Sequence, residues 1–183
     1  TNPVVCIAAS SDGGGGGGTA SGGGGGGGGV SLMGADSTGR HMGLRSIPMA
    51  TPDPATATVT EAVAALAAGT VGSEELLDVM LARVERWNPE LNLVVALDVE
   101  RARARARAAD EARARGVSWG PLHGLPVTIK DSYETEGLVT TSGSPQLASY
   151  VPTRDADAVA QLKAAGAIVF GKTNLPLYAG DFQ

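Results

Sequence analysis

GPLHGLPVTIKD, residues 120–131, is the stretch on which the reading of this chain turns. Gly124 and Pro126 open it. Val127 and Ile129 then share one face of an extended segment, because strand side chains alternate with period two. Lys130 and Asp131 close it. A surface strand turns such a lysine to water. Held inside, a lysine is poorly solvated as a cation, its pKa falls, and it becomes usable as a base. Alone the segment is a weak signal. It gains weight from three segments further along: Gly137, TTSGS at 140–144 and LKAAGAIVFGKTN at 162–174.

Working outward, the chain divides at residue 48. Of its 27 glycines, 14 fall in two runs, Gly13–Gly18 and Gly22–Gly29. Polyglycine buries no apolar surface and loses much backbone entropy on ordering, so residues 1–48 read as a disordered tail. A non-native extension, artificial or translated from an upstream frame by mistake, explains the tail better than a native linker does, with Met33, Met42 and Met49 as candidate starts. Residues 49–183 carry ordinary globular patterning. Thr60 caps a helix ending at Gly69, and Ser73 caps a second that Asn88–Pro89 breaks. LVVAL at 93–97 reads as a short strand. A third helix from Asp98 to Arg115 sets six arginines against four acids. That pattern is a solvated helix more readily than an anion-binding surface.

Asp155 is expected to cap a helix over 156–165, followed by a strand at 167–170. Strand 125–130, this helix and the second strand form a crossover unit, so the two strands should be parallel. The fold class implied is α/β: a mixed, mostly parallel sheet flanked by helices and preceded by N-terminal helices.

Composition excludes several classes. Net charge is −5, which argues against nucleic acid or an anionic membrane as a partner. A single Cys6 excludes an intrachain disulfide. No apolar run approaches the roughly 20 residues of a membrane span, and VVCIAA at 4–9 lacks the basic lead of a signal peptide. Cytoplasm is the default location. No cluster has metal-ligand spacing, and no cofactor is expected.

In order and spacing, residues from about Met49 to Gln183 resemble the N-terminal half of the amidase signature family, serine hydrolases with a Ser–cis-Ser–Lys triad. ERWNPELNLVVAL at 85–97 is similar to the family's approach to the catalytic strand. The resemblance implies that Lys130 is the catalytic lysine, drawing a proton through the cis-serine from the nucleophilic serine. The substrate would be a small-molecule amide. The family's glycine- and serine-rich run, with both serines, has no match in these residues. The chain alone is therefore expected to be an inactive, truncated piece of an amidase. After GKTN this chain reads LPLYAGDFQ, where the tRNA-dependent amidotransferase A subunits resemble Met-Asp-Glu-Phe. That departure favours a stand-alone amidase over the tRNA-linked enzyme.

Two competing sites need weighing. GAIVFGKT, residues 166–173, fits the phosphate-loop pattern letter for letter. That motif needs a strand before its first glycine and a helix after its lysine, and here the order is reversed. A nucleotide-binding module is the alternative class, and a non-catalytic interaction fragment a third. In the amidase reading Lys172 is structural. Ser142 and Ser144 read as turn residues, and His123 as a turn residue rather than a base, since no G-x-S-x-G elbow is present.

Overall fold

The computed structural model describes residue 53 and residues 55–180. Residues 1–48, read from sequence as a disordered tail, lie outside the described residues. Four helices and three strands follow in the order α1 (Val59–Ala68), α2 (Ser73–Leu91), β1 (Val94–Leu97), α3 (Val99–Ala114), β2 (Pro126–Lys130), α4 (Asp157–Ala164) and β3 (Ile168–Thr173). β3 is central, parallel to β2 and antiparallel to β1. The fold is thus the expected α/β class with a small mixed sheet.

Local chemistry explains the helix ends, with four corrections. The cap of α1 is Thr58, not Thr60. Its hydroxyl accepts from Glu61 N–H while Glu61 accepts from Thr58 N–H, a reciprocal capping box. The cap of α2 is Gly72, not Ser73. Asp110 of α3 takes the Ser73 and Glu74 N–H groups at 2.7 and 3.1 Å, so the first turn is satisfied from another helix. α4 starts after Ala156, and Asp155 instead holds Lys163 Nζ at 2.7 Å and accepts from Glu136 N–H. α2 also runs through Pro89 to Leu91 before Asn92 ends it in left-handed geometry. Asn88 then clamps Val94, accepting from its N–H and donating to its carbonyl, both at 2.8 Å.

Apolar side chains fill both faces of the sheet. On one, Val127 and Ile129 of β2 pack with Ala62 and Leu66 of α1, Leu76 of α2 and Val159 of α4. On the other, Ile168 and Phe170 of β3 meet Leu77 and Val84 of α2 and an alanine stripe of α3. Those alanines, Ala102, Ala106 and Ala109, recur at helical spacing and are small enough to let α3 lie close. The α3 arginines point the other way: Arg103 pairs with Asp78 at 2.7 Å, Arg107 with Glu74 at 2.9 Å, and Arg105 covers the Trp119 ring. Among the described residues no helix is long and apolar enough to cross a membrane.

Candidate active site

The C-terminal ends of the parallel strands lie side by side, with Lys130 of β2 in register with Thr173 of β3. In open α/β sheets ligands bind at this edge. Lys130 is half-buried there.

An irregularity in the sheet decides what surrounds it. β2 runs Val127 to Thr128 while β3 runs Val169 to Gly171, so Phe170 is an extra residue. Such a bulge exchanges the faces of everything beyond it. Without it Lys172 would share the face of Ile168 and Phe170. With it, Lys172 pairs with Ile129 and enters the opposite side of the sheet. Gly171 makes this possible, since a Cβ there would lie 2.7 Å from Ala96 O on β1.

Lys172 is fully buried. Its Nζ donates to Tyr133 O and to Thr140 Oγ1, both at 2.7 Å, and faces Asp131 Oδ1 at 3.4 Å. An ammonium has three N–H donors, and three acceptors surround this one. Burial pushes the Lys172 pKa down, while the Asp131 charge and hydrogen bonding pull it back up.

Asp131 is equally buried. Its Oδ2 accepts from Thr141 N–H at 3.0 Å and from the Thr141 hydroxyl. Its main-chain carbonyl accepts from Ser142 N–H at 3.1 Å, and its N–H donates to Thr173 O at 3.0 Å. The TTSGS turn is therefore fastened to the end of β2. The ion pair of Asp131 is with Lys172, not with the adjacent Lys130. Among the described residues no ion pair or side-chain hydrogen bond engages Lys130 Nζ.

Ser142 and Ser144 are where turn residues should be. Ser142 has φ 50° and its carbonyl accepts from Tyr178 N–H at 2.7 Å. Ser144 caps a short 3₁₀ turn at Pro145–Leu147 and meets the Tyr178 hydroxyl at 3.0 Å. His123 accepts from Trp119 N–H through Nδ1 and meets Ala109 O through Nε2, both at 3.0 Å, so both ring nitrogens are occupied. Among the described residues no cluster could hold a metal ion.

The phosphate-loop alternative at 166–173 fails on geometry. The segment is the turn after α4 followed by the central strand. The N–H groups of Gly166, Ala167 and Ile168 donate to Lys163, Leu162 and Leu125 carbonyls. Those of β3 lie between two ladders. None can cradle a phosphate, and the lysine that would reach it is sealed inside.

A mixed sheet flanked by helices, with Lys130 half-buried at the end of one parallel strand and a buried lysine–aspartate pair beside it, is an α/β scaffold that lacks the geometry of a phosphate loop at 166–173. Residues 75–180 match the Amidase family, and the chain belongs to it. It is 46% identical over 122 residues to the A subunit of glutamyl-tRNA(Gln) amidotransferase from Roseiflexus sp. strain RS-1, covering 67% of this chain and 25% of that one. Among solved structures it is similar to the peptide amidase of Stenotrophomonas maltophilia, at 36% identity and a TM-score of 0.61 over 67% of this chain and 25% of that enzyme. A fatty acid amide hydrolase, at 22% identity and a TM-score of 0.63 over 67% of this chain and 22% of that one, shares the fold. The chain spans about a quarter of the length of the curated relatives it matches.

Proposed function

We propose that the protein to which these residues belong cleaves a carboxylic amide, with Lys130 as general base in a Ser–cis-Ser–Lys triad. The observation that carries this is the contrast at the sheet edge: Lys172 makes two hydrogen bonds and an ion pair with Asp131, whereas Lys130 stands half-buried at the strand end with no ion pair among the described residues. A lysine is a base only as the neutral amine. By the family resemblance, Lys130 takes a proton from the bridging serine, which takes one from the nucleophilic serine. That serine attacks the amide carbonyl, ammonia or amine leaves, and water releases the acid. Both serines come from the family's glycine- and serine-rich run, which is not among these 183 residues. The chain alone accordingly supplies a base without a nucleophile and should not turn over amides.

A second reading is favoured by the 46% identity to an amidotransferase A subunit. In it, the amide is glutamine and the ammonia passes to an acyl-tRNA acceptor with the help of other subunits. LPLYAGDF after the central strand favours the stand-alone enzyme instead. Ammonia release from a panel of simple amides and glutamine by the purified whole protein separates them. Turnover of simple amides without partners supports the amidase. Glutamine cleavage that requires partner subunits supports the amidotransferase. Full activity in Lys130→Ala sinks the assignment of the base under either.

A further inference from the structure

The buried pair of Asp131 and Lys172 fastens more than the two strands beside it. We infer that it joins the loops leaving β2 and β3 into one wall of the amide site, and that this wall meets the substrate through Ser142 and Tyr178. The two charged residues are positioning residues, and the two on the wall set specificity. This rests on the amidase reading of the sheet edge.

Each charge holds a different part of the loop after β2. Lys172, on β3, donates to Tyr133 O and Thr140 Oγ1, both at 2.7 Å. Asp131 accepts from Thr141 N–H at 3.0 Å and from the Thr141 hydroxyl, whose oxygen accepts in turn from Gly143 N–H at 3.0 Å. The loop after β3 then lies on this turn. Tyr178 N–H donates to Ser142 O at 2.7 Å, and the Tyr178 hydroxyl meets Ser144 Oγ at 3.0 Å. A Cβ on Gly143 would stand 2.9 Å from Leu175 O, so the two loops touch closely. Both leave the carboxyl ends of parallel strands, the edge at which open α/β sheets bind ligands.

Three features point beyond stability. A buried ion pair is a weak source of it, because apolar residues of similar volume often replace one without loss. What this pair adds is a fixed place for the turn. Second, Ser142, Tyr178 and Ala179 are held in left-handed geometry, with φ of 50°, 52° and 54°. Non-glycine residues so held cost stability and collect at ligand sites, where their surroundings over-determine them. Third, the side chains this presents are available. Ser142 is half-buried and its hydroxyl makes no hydrogen bond among the described residues, and Tyr178 is exposed. No charged residue occurs in 140–144 or 174–180. A hydroxyl beside an aromatic ring, with no charge near it in the wall, suits an amide with an uncharged apolar or aromatic substituent.

The test uses the whole enzyme and kcat/KM for acetamide, benzamide and glutamine. The wild type should favour benzamide, and a preference for glutamine overturns the inference. Tyr178→Ala should lower kcat/KM for benzamide about tenfold more than for acetamide. Ser142→Ala should shift that ratio in the same sense by about threefold, as for one lost hydrogen bond. Asp131→Leu combined with Lys172→Met replaces the pair by apolar side chains. Where a denaturation curve shows this variant folded, it should lose benzamide preference as Tyr178→Ala does, because a wall misplaced by about 1 Å can cost about 10²-fold. Should it fail to fold, Thr141→Val is read in its place, since it removes one link and leaves the pair. Folded variants in which the amides lose kcat/KM alike, or not at all, overturn the inference. Lys130→Ala keeps the two ideas apart, since loss of the base should affect every amide alike. Activity surviving in it defeats the base assignment alone, whereas activity lost in it with an unchanged ratio in Tyr178→Ala defeats only the wall.

Discussion

Lys130 and Lys172 end up on neighbouring strands, one residue out of register, and in opposite circumstances. Lys130 closes β2, half-buried and without a partner among the described residues. Lys172 lies one residue short of the end of β3, fully buried and surrounded by three acceptors. A buried lysine is the usual candidate for a base, because burial lowers its pKa. Here the more buried lysine is the less suitable one. Its Nζ makes two hydrogen bonds, to Tyr133 O and Thr140 Oγ1, and faces the Asp131 carboxylate, contacts that make its burial possible. Burial and hydrogen bonding therefore separate the two lysines, and the proposal that Lys130 is the base rests on that separation.

That contrast can be broken in several places. The largest expected effect is on activity. Lys130→Ala in the whole enzyme should lower kcat/KM by about 10²–10⁴-fold, the range for loss of a general base. The folded state should be little disturbed, with stability changing by about 0.5 kcal/mol or less, as at an unengaged, partly exposed site. Steady-state kinetics with a denaturation curve measure both, and a large stability loss would mean that Lys130 is structural.

Lys172→Ala should do the reverse in its first effect, lowering stability by about 3–5 kcal/mol by stranding a buried carboxylate. The denaturant midpoint of the whole protein reads this. A loss under about 1 kcal/mol would show that Asp131 does not depend on Lys172.

Gly171→Ala sharpens the comparison at its origin. A methyl group 2.7 Å from Ala96 O forces β1 away from β3 at the bulge that turns Lys172 to its face. Overpacking of this kind costs about 1–3 kcal/mol. Amide exchange should show β1 loosening while the β2–β3 pair stays protected. Uniform protection across all three strands would contradict the role given to Gly171.

The smallest effect is a pH dependence. Burial holds the folded-state pKa of Lys172 below its ordinary 10.5. Between the folded value and 10.5, the unfolded chain binds a proton that the folded chain does not. Stability from this group therefore rises with pH in that window and is constant well below it. The Tm difference between wild type and Lys172→Met should move in favour of wild type as pH climbs toward 10.5. A difference that is flat or falls through that range would mean the Lys172 pKa is not depressed.

Much of the frame was legible in the residues. GLPVTIK and AIVFGKT, separated by a helix-length amphipathic segment, announce two parallel strands, and β2 and β3 are parallel. The alanine and arginine alternation after Asp98 announces an exposed helix with a small-residue face, and α3 has one. Helix caps were less legible. Thr58 and Thr60 are equally good caps in sequence, and Glu61 chooses between them by standing three residues after the former. The cap of α2 could not be found locally, because its acceptor, Asp110, comes from 37 residues away.

Sequence by itself determined the strand–helix–strand unit, the family, and the placing of Lys130 at a strand end. The unit and the strand end rest on hydrophobic periodicity and turn residues, which are local and survive without knowledge of the fold, and the family rests on the resemblance its motifs carry. Only the tertiary structure decided which lysine Asp131 would serve. That choice depends on one extra residue in β3 and on which face of the sheet Lys172 consequently enters, and a period-two pattern cannot reveal a slip that it does not itself contain.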